Sequence, residues 1–130
     1  MGRMPTQIAK IKPSPEREAL NAAHHAVEVA SDKQGTDIVL LDVREVSGFA
    51  DYMVIMSTAS ARQLNALADD MTDAVKEAGL KLHHREGTPH SGWVLLDFAD
   101  VLVHLFSEEQ RGFYRLEQVW KSGKQLVRIQ

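Results

Sequence analysis

The chain contains no cysteine in its 130 residues, which excludes disulfides and thiolate metal sites and fits a reducing compartment. It also lacks a basic excess, with 15 Lys and Arg against 18 Asp and Glu and a formal net charge of −3. Proteins that hold nucleic acid neutralise phosphates, which normally shows as a basic surplus or stripe, so direct nucleic-acid binding is not expected. A mildly acidic surface suits a basic protein partner instead, through complementary potentials. No apolar run reaches the length of a membrane span and no signal-peptide core follows the start, so a cytoplasmic chain without a membrane anchor is expected. The motifs of several chemistries are missing too. There is no Walker A or G-x-G-x-x-G loop for nucleotides, no G-x-S-x-G elbow for acyl transfer and no H-E-x-x-H zinc helix.

What is present has the composition of one globular domain, with 44% hydrophobic and 25% charged residues. Residues 1–13 carry two prolines and no amphipathic pattern, and are read as a flexible tail. Ser14-Pro15-Glu16 is a helix start: a capping hydroxyl, proline at the first position, then an acid near the positive end of the dipole. Ala19, Leu20, Ala23, Ala26, Val27 and Ala30 then recur at helical spacing, predicting a helix from Pro15 to about Lys33 with Gly35 as its left-handed stop. Ile38 to Val43 and Tyr52 to Met56 read as strands. Ser57, Thr58 and Ser60 can cap a second helix, whose stripe is Leu64, Leu67, Ala68, Met71, Ala74, Val75 and Ala78, ended by Gly79. Leu80 to Arg85 is a weaker strand, followed by a loop with Gly87, Pro89 and Gly92. Trp93 to Phe98 and Val101 to Phe106 alternate across a short turn and predict a hairpin. Ser107-Glu108-Glu109-Gln110 matches a capping box opening a short helix through Phe113, Tyr114, Leu116 and Trp120. The expectation is a single α/β domain over residues 14–121, a mixed five-stranded sheet flanked by helices, with 122–130 as a loose end.

Six histidines raise the question of a metal. His24 and His25 are adjacent on a helix, His83 and His84 would face opposite sides of a strand, and His90 and His104 stand apart, so no metal site is expected. Asp97 and Asp100 could hold Mg²⁺, and a mixed sheet with flanking helices has a nucleotidyltransferase-like topology, so a Mg-dependent nucleotidyltransferase using Asp97 and Asp100 is the alternative reading. Those enzymes, however, pair a Gly-Ser turn with acids in D-x-[DE] spacing, whereas here D-F-A-D spans a turn with no such pair. No enzymatic activity and no cofactor are expected. What remains is a surface. Trp93, Leu95 and Asp97 share one face of the first hairpin strand, and His104 lies in the second. The residues alone leave open whether Trp93 anchors a partner or packs the sheet beneath a helix.

Four stretches in order give the chain a likeness. Phe49-Ala50-Asp51-Tyr52-Met53-Val54-Ile55, Ser60-Ala61-Arg62-Gln63-Leu64, the hairpin Gly92–Asp97 with Asp100–Phe106, and Arg111-Gly112-Phe113-Tyr114-Arg115-Leu116-Glu117-Gln118-Val119-Trp120 each match a motif of one family. From Gly35 to Trp120 the chain resembles the ribosomal silencing factor, or Iojap-related, family. The resemblance implies binding to the fourteenth protein of the large ribosomal subunit. It also implies steric exclusion of the small subunit, repression of translation under nutrient limitation, and a homodimer when free. It favours Trp93, Leu95, Asp97, Asp100, His104 and Tyr114 as partner-binding residues, with Arg111 and Glu117 positioning the terminal helix. Ala99 stands where the family usually shows glycine, so a different or strained turn is expected there.

Overall fold

The computed structural model describes residues 14–114 and 123–130, without the side chains of Pro15, Glu16, Phe113 and Tyr114. The helix start is as the sequence reads: α1 (Pro15–Asp32) is capped by Ser14, whose Oγ accepts from the Arg17 N–H at 3.2 Å. Its inward stripe is almost wholly alanine, and Ala19, Ala22, Ala23, Ala26 and Ala30 are fully buried, so the helix axis can approach the sheet closely. The stop differs from expectation. Gln34, not Gly35, takes the left-handed conformation, at φ +68°. The Gly35 N–H then reaches back to the Ala30 carbonyl at 2.7 Å, which closes a Schellman-type end. Glycine is needed at 35 for room, because a Cβ there would lie 3.0 Å from the Ala30 oxygen.

β1 (Thr36–Asp42) and β2 (Tyr52–Thr58) follow, then α2 (Ala61–Glu77), capped by Ser60 through the Gln63 N–H. Gln63 answers with its own side chain, accepting the Ala59 N–H at 3.2 Å, so two free donors at this helix start are satisfied. β3 occupies His84–Thr88 rather than Leu80–Arg85. Its residues are all exposed at a sheet edge, so no apolar alternation marks it, while Leu80 and Leu82 pack on the core from the preceding loop. A single 3₁₀ turn (Pro89–Ser91) leads to β4 (Trp93–Asp97), β5 (Val101–Ser107) and α3 (Glu108–Tyr114). Ser107 Oγ caps α3 through the Gln110 N–H, but the Ser107 N–H goes to the Gly92 carbonyl, so only half of the expected capping box forms. Leu116, Glu117 and Trp120 lie outside the described residues.

The sheet has six strands, not five, in the order β3-β4-β5-β2-β1-β6. The addition is β6 (Lys124–Ile129), which pairs antiparallel with β1, so most of the stretch expected to be a loose end is an edge strand. A register shift between Leu40 and Leu41 opposite this strand breaks its period-two pattern, and most of its residues are exposed. β2 and β5 run parallel and every other neighbouring pair is antiparallel, which makes the sheet mixed.

The two faces differ. α1 and α2 cover one, burying Ile38, Leu40, Tyr52, Val54, Met56, Val94, Leu96, Val101, Val103 and Leu105 against the alanine and leucine stripes. The other carries a smaller apolar cluster of Val39, Leu41, Val43, Ala50, Met53, Ile55, Leu102 and Phe106, with Trp93 and Leu95 partly buried against it. α3 touches this second face through Arg111. That side chain is 6% exposed, donates from Nη1 to Ser57 Oγ at 2.8 Å and places Nη2 3.5 Å from Asp37. Asp37 also accepts from Arg128 of β6 at 2.8 Å. One carboxylate therefore links β1, β6 and α3, and Arg111 holds the short helix in place.

Candidate protein-binding face

The β4–β5 register sets Trp93 opposite Phe106, Leu95 opposite His104 and Asp97 opposite Leu102. Cross-strand partners point to the same side, so these residues share the second face, away from α1 and α2. The β3–β4 register adds His84 beside Asp97, Glu86 beside Leu95 and Thr88 beside Trp93. Trp93, Leu95 and Asp97 are half-buried, whereas the alternate residues Val94 and Leu96 are fully buried beneath the helices. A sheet face bearing a partly open tryptophan and leucine, edged by carboxylates, has the make-up of a protein-binding patch.

Trp93 is fixed in place. Its Nε1–H donates to His104 Nδ1 at 3.2 Å, and the two rings lie 6.3 Å apart and 26° from parallel. His104 in turn stacks on Phe106, at 6.1 Å and 4°. Acceptance at Nδ1 puts the proton of the neutral imidazole on Nε2. Burial pushes the His104 pKa down to about 4, so the ring is neutral at physiological pH and suited to this accepting role. The sequence could name His104 as part of the face, but not as the support of the indole.

Two glycines shape the ground around Trp93. At Gly87, φ is +80° and an added Cβ would sit 2.3 Å from the Trp93 carbonyl oxygen and 2.9 Å from Cε3 of its ring. At Gly92, φ is +83° and a Cβ would meet Gln110 Cγ at 2.6 Å and Ser107 Oγ at 2.8 Å, so glycine lets the first turn of α3 close over the start of β4. In the sequence Gly87 and Gly92 mark a loop, and Gly92 also opens the hairpin motif, but neither close approach is visible there.

At the other end of the hairpin, Asp97 Oδ1 accepts the Ala99 N–H at 2.8 Å, and the Asp100 N–H returns to the Phe98 carbonyl at 2.9 Å. Ala99 between them has φ +69°, so the expected strain is present and the turn is the positive-φ γ form that glycine would favour. The Asp100 carbonyl accepts from the N–H groups of Asp51 and Tyr52, at 2.9 and 3.0 Å, and fastens the β1–β2 loop to the hairpin. Of the two acids proposed for Mg²⁺, Asp97 joins the turn through its carboxylate and Asp100 through its backbone N–H and carbonyl. Among the described residues no group of three His, Asp or Glu is placed to hold a metal. Asp97 Oδ2 instead lies 3.7 Å from His84 Nε2, which also meets Glu86 at 3.0 Å. Tyr114 closes α3 with its backbone, and its side chain lies outside the described residues. Of the proposed set, Trp93, Leu95, Asp97 and His104 form one surface, and Asp100 stands at its end. Sequence reasoning missed His84, Glu86 and Thr88, because β3 was placed too early.

A face of this make-up sits on a fold with known counterparts. The family described as "Ribosomal silencing factor during starvation" matches residues 16–130. The chain belongs to the ribosomal silencing factor family. The matched region extends past the stretch recognisable by motif, taking in α1 and the edge strand β6. The chain is 42% identical over 92 residues to "Ribosomal silencing factor RsfS" of Zymomonas mobilis, an alignment covering 71% of this chain and 69% of that one. It is 37% identical over 95 residues to the Bacillus subtilis protein of the same name, covering 73% and 80%. "Protein Iojap, chloroplastic" of Zea mays shares 34% over 105 residues, 81% of this chain but 46% of that longer protein. Among solved structures, a protein from Chromobacterium violaceum superposes with a TM-score of 0.75 at 31% identity, covering 85% of this chain and 91% of that one. A Bacillus halodurans protein gives 0.65 at 33%, covering 80% and 94%. The named sequence relatives are thus ribosomal silencing factors and Iojap, and the two solved structures share the fold of this chain. Among its described residues, no helix is long and apolar enough to cross a membrane.

Proposed function

We propose that this ribosomal silencing factor binds the fourteenth protein of the large ribosomal subunit through the β3-β4-β5 face, and that it thereby blocks joining of the small subunit. In this reading the chain acts in the cytoplasm by occupancy, without chemistry, and lowers translation when nutrients are limiting. The observation that carries it is Trp93: a half-buried indole, held by His104, on the sheet face that α1 and α2 leave uncovered. Tryptophan on a preorganised surface loses little side-chain entropy on binding and brings a large apolar area, which is why it concentrates interface energy. Glu86 and Asp97 flank Leu95 on the same face and set the sign of the potential that a basic ribosomal protein meets. The free chain forms a homodimer, and if the same face serves both contacts, self-association competes with ribosome binding.

The test is co-sedimentation with large subunits, alongside titration of the purified fourteenth protein. Saturable binding to both, weakened by Trp93→Ala, supports the reading. Binding to the subunit without binding to the isolated protein moves the partner elsewhere on the ribosome. Nucleotide turnover that depends on Asp97 would instead support the enzymatic alternative.

A further inference from the structure

Phe49 is 64% exposed and Val46 39% exposed, both on the β1–β2 loop. An exposed phenylalanine is unremarkable on a floppy segment, but this loop is built. The Val46 and Ser47 N–H groups return to the Val43 carbonyl, at 3.2 and 2.8 Å, and the Val43 N–H goes to the Asp51 carbonyl at 2.9 Å. Ser47 Oγ accepts from the N–H groups of both Phe49 and Ala50, each at 3.2 Å. The bonds from Asp51 and Tyr52 to the Asp100 carbonyl then fasten the loop to the β4–β5 turn. Ala50, the next residue, is buried in the same apolar cluster as Leu102, against which Trp93 and Leu95 pack.

We infer that Phe49, with Val46 of the same loop, is a second anchor of the partner-binding face, taking an apolar contact from the same basic protein that Trp93 engages. The inference rests on the function proposed above. The geometry allows one partner to reach both anchors. Trp93 pairs with Phe106 at one end of β5, and the loop adjoins the other end near Leu102, about 13 Å away at the usual strand rise. A typical interface of roughly 800 Å² per partner spans that distance. Charge selects the occupant. Glu45, Asp97 and Asp100 lie at this end of the sheet against one lysine, Lys124, which lines a shallow pocket with Asp42, Glu45 and Val46, while Arg44 is bound to Asp42 at 2.8 Å. Two copies meeting here would bring like charges together, whereas a basic protein would find complementary ones.

The experiment measures the Kd for the purified fourteenth protein and for large subunits, with wild type, Phe49→Ala, Val46→Ser and Trp93→Ala, alongside melting temperatures and light scattering. Phe49→Ala is expected to weaken binding at least tenfold and Val46→Ser several-fold, and the melting temperatures show whether either change also touches the fold. If Trp93→Ala weakens binding while both loop variants stay within twofold of wild type, the second anchor is refuted and the proposed function stands. If no variant weakens binding, the face itself is misassigned. If the loop variants alter self-association and not ribosomal binding, the occupant is a second copy and the inference fails. Should Phe49→Ala lower the melting temperature, Val46→Ser alone decides.

Discussion

His104 makes the stability of this protein depend on pH in a way that one substitution removes. The ring is 8% exposed, and its pKa falls from 6.5 to about 4 through burial. Protonation at Nδ1 would also set a donor against the Trp93 Nε1–H that now points at it from 3.2 Å. The native state therefore resists the proton, and the unfolded state takes it up first as pH falls. Stability from this group is fully present above pH 6.5 and is lost progressively as pH falls towards about 4, below which the loss is complete. With those two values the loss is about 2 kcal/mol at pH 5 and about 3 kcal/mol at its limit, at about 1.4 kcal/mol per unit. His104→Asn offers an oxygen near the Nδ1 position and does not titrate. It is expected to be less stable than wild type at pH 7, having lost the ring contacts with Trp93 and Phe106. Its urea midpoint should nevertheless fall less between pH 7 and pH 4.5 than that of wild type. Taking the difference cancels groups common to both proteins. Parallel pH profiles would refute the reasoning, and so would a wild-type profile that steepens only below pH 4.

Three further outcomes follow from the geometry. Ala99→Gly should raise stability by about 1 kcal/mol, because it relieves a left-handed alanine in the hairpin turn, and thermal unfolding checks it. Gly87→Ala should displace the Trp93 backbone and ring, changing indole fluorescence and weakening partner binding; an unchanged spectrum and affinity would show that the edge strand simply yields. Asp37→Ala removes the carboxylate that faces both Arg111 and Arg128 and leaves alanine at φ +46°, and should destabilise by about 2 to 3 kcal/mol; combining it with Arg111→Met should recover the part that comes from the buried guanidinium but not the backbone strain, in chemical denaturation.

The parts legible in the sequence were those where burial imposes a period. α2 could be read from Leu64, Leu67, Ala68 and Met71, and β4 and β5 from their alternation, because each has a fully buried side. β3 and β6 could not be read in the same way. Both are sheet edges with exposed side chains, so their pairing rests on backbone hydrogen bonds that leave little trace in residue choice. The site followed the same rule. Strand parity placed Trp93, Leu95 and Asp97 together, but the company of His84 and Glu86 depends on the β3 register. The roles of Gly87 and Gln34 were hidden as well, since one depends on the room beside a tryptophan and the other on which residue turns left-handed at a helix end. The Asp97–Asp100 pair illustrates the limit from the other side. Two acids three positions apart can be read as metal ligands from sequence alone, whereas the structure shows the Asp97 carboxylate bound to the Ala99 N–H and Asp100 holding the β1–β2 loop through its backbone carbonyl.

The most direct measurement of the central claim is the rejoining of ribosomal subunits, followed by light scattering, with wild type and a Trp93→Ala variant whose folding has been verified. Wild type should suppress the rise in scattering. The folded variant should need on the order of tenfold more protein for the same effect, as expected for loss of an interface tryptophan. Equal suppression by both would contradict the assignment of the Trp93 face, and absence of suppression by wild type at saturating binding would contradict the blocking function itself.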